Sequence, residues 1–154
     1  MAWLEATAIA EWVRTSFIGY PLVLTLHSVG MAIMVGLIFV VNLRLLEMFR
    51  RIPLQSLEIM LSIAWIGFFV NLVSGLIVFT SQASFYVTSS PFILKIIMVV
   101  IGALTARYMM PILGSDSTGW SDGTVVVNKI RMLALGSLIV WSVAITTGRF
   151  TAYL

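Results

Sequence analysis

The chain has one histidine and no cysteine, which narrows the coordination chemistry open to it. His27 sits in a long apolar run, with Met31 and Met34 following at i+4 and i+7 on one helical stripe. Imidazole with thioether suits Cu(I) or a haem iron. Met31 shares His27's stripe and cannot sit trans to it across a haem, whereas Met98, on a later segment, could. A bis-histidine haem would need His27 from two copies of the chain or from a partner. Lys95 and Arg149 are cations within or beside apolar segments, where they could face haem propionates or another small ligand such as a quinone. Each residue also has a plainer use. A lone histidine can be a hydrogen-bonded packing residue, and methionines fill irregular gaps. Lys95 can snorkel to an interface, and Arg149 and Arg107 can anchor helix ends.

Other chemistries are missing. The sequence has no HExxH, no Gly-rich phosphate loop and no Ser-His-acid set of plausible geometry. Every acidic residue falls in a loop or flank, so no carboxylate lies within an apolar run to couple protons or sodium. The absence of cysteine excludes disulfides, thiolate metal sites and a cysteine nucleophile. No catalytic residue is assigned, and the reading leans away from an enzyme.

The elements that must position these residues follow from composition. Of the 154 residues 60% are hydrophobic and 10% charged, against about a quarter charged in a soluble domain. The mean hydropathy is +1.09. A soluble fold of this length could not hide so much apolar surface, so lipid is the solvent for much of the chain. Crossing ~30 Å of hydrocarbon takes roughly 20 apolar residues. Four stretches qualify, at about 20–43, 59–80, 91–113 and 129–148. Pro21 and Pro91 open the first and third, and a polar Gly/Ser/Asp stretch over 114–128 reads as a loop.

Before the first span, residues 3–18 read as an amphipathic helix at about 100° per residue. Trp3, Ile9, Trp12, Val13 and Phe17 share one half of its wheel and Thr7, Glu11 and Arg14 the other. Two tryptophans on the apolar half fit a helix lying in the membrane interface. Residues 81–90 are uncharged and read as an interfacial loop carrying Phe85 and Tyr86.

Polar and small residues inside the spans should face other helices. Gly30 and Gly36 are expected to permit close approach, and Asn42, Asn71, Ser74 and Gly75 to meet neighbouring helices. Arg44 and Glu47 stand at i, i+3 and can pair. Six of the nine basic residues (Arg44, Arg50, Arg51, Arg107, Lys129 and Arg131) fall on one side of a four-span topology. The positive-inside rule makes that side cytoplasmic, with both termini outside. His27, Lys95 and Arg149 then share an outer-leaflet layer. The net charge of +3 is spread among loops and reads as a topology signal, not as a nucleic-acid patch.

Several of these residues form a recognisable series. Tyr20-Pro21, Leu26-His27-x-x-Gly30, Asn42-Leu43-Arg44-Leu45-Leu46, Ser74-Gly75, Phe79 and Phe92-x-x-Lys95 resemble the pattern of an uncharacterised family of small four-span bacterial membrane proteins. In that family an Asp commonly precedes Leu-Arg-Leu, and here Asn42 stands in its place. The resemblance implies a bacterial cytoplasmic (inner) membrane location and brings no activity with it. More distantly, the layout is similar to small b-type cytochrome membrane bundles, which supply more histidines than this chain has.

The expectation is therefore an all-α, single-domain integral membrane bundle of four transmembrane helices with an interfacial N-terminal helix. Its expected partners are the lipid bilayer and other membrane subunits or further copies of itself, with no nucleic acid. Its expected role is that of an accessory subunit of a larger, redox-type membrane complex, with a ligand site (haem b or quinone) near His27. The alternatives are a stand-alone homodimeric electron-transfer protein and a purely structural or assembly subunit.

Overall fold

The computed structural model of the protein describes residues 2–114 and 124–151. Among them every regular element is an α-helix: α1 (Ala2–Glu5), α2 (Ala8–Thr15), α3 (Gly19–Leu45), α4 (Gln55–Ser81), α5 (Ala83–Thr88), α6 (Ser90–Gly114) and α7 (Thr124–Phe150). Four of these, α3, α4, α6 and α7, are long and apolar enough to cross a membrane. Hydrocarbon offers no partner to a backbone N–H or C=O, so a spanning segment satisfies them internally, as a helix does. The protein is an integral membrane bundle of four helices. Each spanning helix runs a few residues beyond its apolar stretch at one end or both, because polar flanks such as Gln55 continue the helix into the interface. The loop expected over 114–128 is shorter than its composition implies, since α7 already begins at Thr124. Its centre, 115–123, lies outside the described residues.

The N-terminal amphipathic helix is broken in two. Thr7 caps α2 by accepting the Ala10 N–H on its side chain, and this interrupts the continuous helix expected over 3–18. Ala10 and Val13 of α2 are buried, while Trp3, Ile9, Trp12 and Phe17 face outward. The hydroxyl of Ser16 accepts the N–H groups of Ile18 and Gly19, starting α3. Gly19 allows the two helices to meet, since a Cβ there would lie 2.7 Å from the Trp12 carbonyl oxygen. The segment expected as an aromatic loop is also helical. In α5, Tyr86 packs against Phe79, Phe85 and Phe92.

The spanning helices form two hairpins. In the first, α3 and α4 cross at glycine on both sides. A Cβ on Gly30 would lie 2.7 Å from the Asn71 backbone nitrogen, and one on Gly67 2.8 Å from that of Met34. In the second, α6 and α7 close over Gly102, where a Cβ would meet the Trp141 indole at 2.7 Å. The hairpins share one apolar cluster around Met34, Ile38, Leu61, Ala106 and Trp141. A second cluster, around Val41, Leu57, Met109 and Ile130, lies toward the α3–α4 loop. One polar pair also joins them: Asn42 of α3, 1% exposed, donates its side-chain amide to the Ser137 hydroxyl of α7 at 2.9 Å.

Candidate functional site

His27 lies on α3, at the ninth residue from its start at Gly19, and faces α4. Its Nδ1 is 3.0 Å from the Asn71 carbonyl oxygen and 3.3 Å from the Ser74 hydroxyl. A carbonyl only accepts, so Nδ1 carries the proton and donates it there. In return Asn71 donates its side-chain amide to the His27 carbonyl oxygen at 2.8 Å. Each side chain thus satisfies a backbone carbonyl of the opposite helix. Ser74 donates to the Val70 carbonyl at 2.6 Å, which holds its hydroxyl beside the ring. Gly75 leaves room for the imidazole, because a Cβ there would approach Cε1 to 3.0 Å. Asn71, Ser74 and Gly75 stand at i, i+3 and i+4 and so form one face of α4.

A second contact joins α6 to α7. Lys95 of α6 is half-buried, and its stem lies across Gly148 of α7, with Cδ 3.2 Å and Nζ 3.6 Å from where a Cβ would stand. Among the described residues Lys95 has no hydrogen-bond or ion-pair partner. Arg149 follows Gly148 and is exposed at the end of α7. His27, Asn71, Ser74 and Gly75 therefore converge, while Lys95 is placed against Gly148 of α7. Met31 and Met98 do not join them, and pack instead against the apolar cluster around Met34 and Trp141.

A haem iron would need the Nε2 lone pair of His27 turned to open space. Donation from Nδ1 to a backbone carbonyl does set the ligating tautomer. The ring nevertheless lies with Nδ1, Cε1 and Nε2 all against α4, and Nε2 is 3.5 Å from the Asn71 amide nitrogen. Binding iron would require the ring to leave this nest. The donor set fits hydrogen bonding at the helix crossing better than it fits ligation. Among the described residues no group of three or more His, Asp or Glu is placed to hold a metal ion.

The opposite end of the bundle carries the basic residues. Arg44 and Glu47 do not pair as their spacing predicts. Arg44 donates from Nε to the Ile52 carbonyl at 2.6 Å, while Glu47 pairs with Arg50 at 2.8 Å and with Arg131 of α7. The reason is local. Met48 N–H bonds the Leu43 carbonyl and Glu47 N–H the Arg44 carbonyl, a Schellman closure of α3. This closure puts Glu47 in the left-handed region at φ 64°, a position usually taken by glycine, so the helical i, i+3 geometry with Arg44 no longer holds. Gly36 likewise departs from expectation. It is exposed, and a Cβ there would meet nothing within 4 Å.

Outside the spans, Glu5 accepts the Ser84 backbone N–H at 2.7 Å, tying α1 to α5. This bond holds its carboxyl below the usual carboxylate range. Burial pushes the Tyr86 phenol up. Sequence reasoning missed Gly67, Gly102, Ser137 and Trp141. Gly67 and Gly102 sit near the middle of their spans, and that was the one signal available for them. Comparison with protein families, with curated proteins and with solved structures finds no match for the chain.

Proposed function

We propose that the protein is a small, non-catalytic accessory subunit of a larger membrane complex, and that the layer around His27 and Lys95 is where a partner or its ligand engages. One observation carries this reading: Lys95 is half-buried at a helix–helix contact without an acceptor among the described residues. A cation in a spanning helix is costly and is normally paired. An anionic or carbonyl-bearing group from outside the chain would complete the pair. The basic residues grouped at the opposite end support an orientation with that end cytoplasmic and both termini outside, as in a bacterial inner-membrane protein.

The test is the mass of the tagged protein on native gels of digitonin-solubilised source membranes. Wild type and Lys95→Arg are expected in an assembly heavier than the free chain and its dimer, and Lys95→Met is expected at the free-chain mass. Wild type running as the free chain would sink the reading.

A further inference from the structure

The basic end of the bundle holds more cations than its acids balance. Among the described residues, six lysines and arginines of this end stand against two carboxylates, Glu47 and Glu58. Asp116 and Asp122 fall in 115–123, outside the described residues. Glu47 is already shared, accepting from Arg50 of the α3–α4 loop and from Arg131 of α7. Lys129 of α7 donates to the Tyr108 hydroxyl of α6 at 3.1 Å, and its ammonium lies 5.6 Å from the centre of that ring. A hydroxyl and a ring face supply no full countercharge. Arg107, next to Tyr108, and Arg51, next to Arg50, are exposed and have no acceptor among the described residues. Lys129 and Arg131 are two residues apart, about 3 Å along the helix axis. The contact of α7 with the loop and its contact with α6 therefore stand at nearly one depth, and the cations form a belt around this end.

Large apolar side chains stand exposed beside these cations. Met48 and Phe49 directly precede Arg50-Arg51, Leu104 lies one turn before Arg107, and Met132 follows Arg131; all four are exposed. A free anion in water would balance the charge and leave the apolar groups uncovered. A phospholipid meets both needs, because its phosphate lies at the interface and its acyl chains begin just below. Guanidinium presents a planar fork of N–H donors that matches phosphate oxygens, and basic residues at the ends of spanning helices attract anionic headgroups. We propose that this belt binds the phosphate groups of anionic phospholipids, with Arg51 and Arg107 as the free donors and the exposed apolar side chains against the acyl chains. The belt is at the other end of the bundle from His27 and Lys95. It holds for either orientation of the chain in the membrane and does not rest on the subunit reading.

The test is native mass spectrometry of the full chain, delipidated in dodecyl maltoside micelles. It is titrated with phosphatidylglycerol or phosphatidylcholine of the same acyl chains, which differ in headgroup charge. Wild type is expected to bind phosphatidylglycerol more tightly, by a margin that shrinks as salt rises. Arg51→Gln and Arg107→Gln remove charge without removing a contact between described residues. Each is expected to weaken phosphatidylglycerol binding roughly fivefold, to leave phosphatidylcholine binding unchanged and to keep the lipid-free unfolding midpoint of wild type. Arg149→Gln removes an exposed cation at the other end and is expected to leave binding of both lipids unchanged. Equal affinity of wild type for the two lipids would overturn the proposal and leave the belt to an acidic protein surface. So would a loss in Arg149→Gln as large as that in Arg107→Gln, the sign of net charge alone. Displacement of the bound lipid by inorganic phosphate at matched ionic strength would also overturn it, the sign of a site for the free anion.

Discussion

Replacing Gly30 by alanine should pull the α3–α4 crossing apart and take the His27 nest with it. The added Cβ would stand 2.7 Å from the Asn71 backbone nitrogen, 2.9 Å from the Gly67 carbonyl oxygen and 3.1 Å from the Asn71 Cα. All three are backbone atoms, so no side chain can turn aside. Restoring ordinary contact at 3.4 Å moves the helices apart by about 0.7 Å. The same movement stretches the His27 Nδ1 to Asn71 carbonyl bond from 3.0 Å to about 3.7 Å, beyond hydrogen-bond length. Overpacking of this kind costs about 1–3 kcal/mol, and a lost interhelical hydrogen bond in a membrane about 0.6 kcal/mol. Alanine recovers about 0.5–1 kcal/mol over glycine in a helix, so the steric terms win and the net loss is about 1–3 kcal/mol. Gly36, on the same helix, meets nothing within 4 Å, so there the helix term acts alone and Gly36→Ala should gain up to about 1 kcal/mol. Reversible unfolding by SDS in mixed micelles measures both changes. Because the chain has one histidine, ¹⁵N-histidine labelling reports its ring directly. The Nδ1 resonance should change in Gly30→Ala and stay fixed in Gly36→Ala. Equal stabilities for the two variants, or an unmoved His27 resonance in Gly30→Ala, would refute the argument that backbone contact at Gly30 sets the site.

Two further outcomes follow from contacts at the ends of the bundle. At Glu47, held at φ 64°, glycine removes left-handed strain of about 1–2 kcal/mol but loses ion pairs whose partly exposed geometry is worth about 0.2–1 kcal/mol. Alanine loses the pairs and keeps the strain. Glu47→Gly should therefore remain near wild type in SDS unfolding, and Glu47→Ala should fall about 1 kcal/mol below it; alanine matching glycine would contradict the Schellman reading. At Glu5, the carboxyl is held low by the Ser84 N–H, so its contribution is fully present above the ordinary carboxylate range and is lost as the pH falls through the lowered folded value. Hydrogen exchange at Ser84, corrected for intrinsic rates, should show protection at neutral pH that declines in acid, and Glu5→Gln should remove that pH dependence.

What the sequence makes legible follows the strength of each physical constraint. The four spans are plain because lipid forces long apolar runs to be helical, and no local signal in them competes. Asn42, a buried amide in an apolar helix, had to find a partner on another helix, and Ser137 is that partner. The break at Thr7 and the helix at Ala83–Thr88 are less legible, because short interfacial segments turn on single caps. Arg44 and Glu47 show the limit of spacing arguments. Their separation suits a pair only while the helix continues, and α3 closes at Leu46. For Gly30 and Gly36 the residue type is the same. Only the crossing point distinguishes them, and that point is set by Gly67 and Asn71, more than thirty residues away.

The polar groups of the bundle divide by what they leave unsatisfied. Asn42 with Ser137, and His27 with Asn71, are closed pairs in which each helix meets a donor or acceptor of the other. Such pairs add direction to the crossings of α3 with α4 and of α3 with α7, the first of which close packing at Gly30 and Gly67 already brings together. Among the described residues the half-buried Lys95 ammonium has no acceptor, and the Trp141 indole N–H, the Arg131 Nε and the Ser89 hydroxyl are buried without a partner. Most spanning hydroxyls, among them Ser28, Ser62, Thr105 and Ser142, donate instead to a carbonyl one turn back on their own helix. The closed pairs therefore tie helix to helix, and with most hydroxyls satisfied on their own helices, the crossings rest on the glycine contacts and on these two pairs.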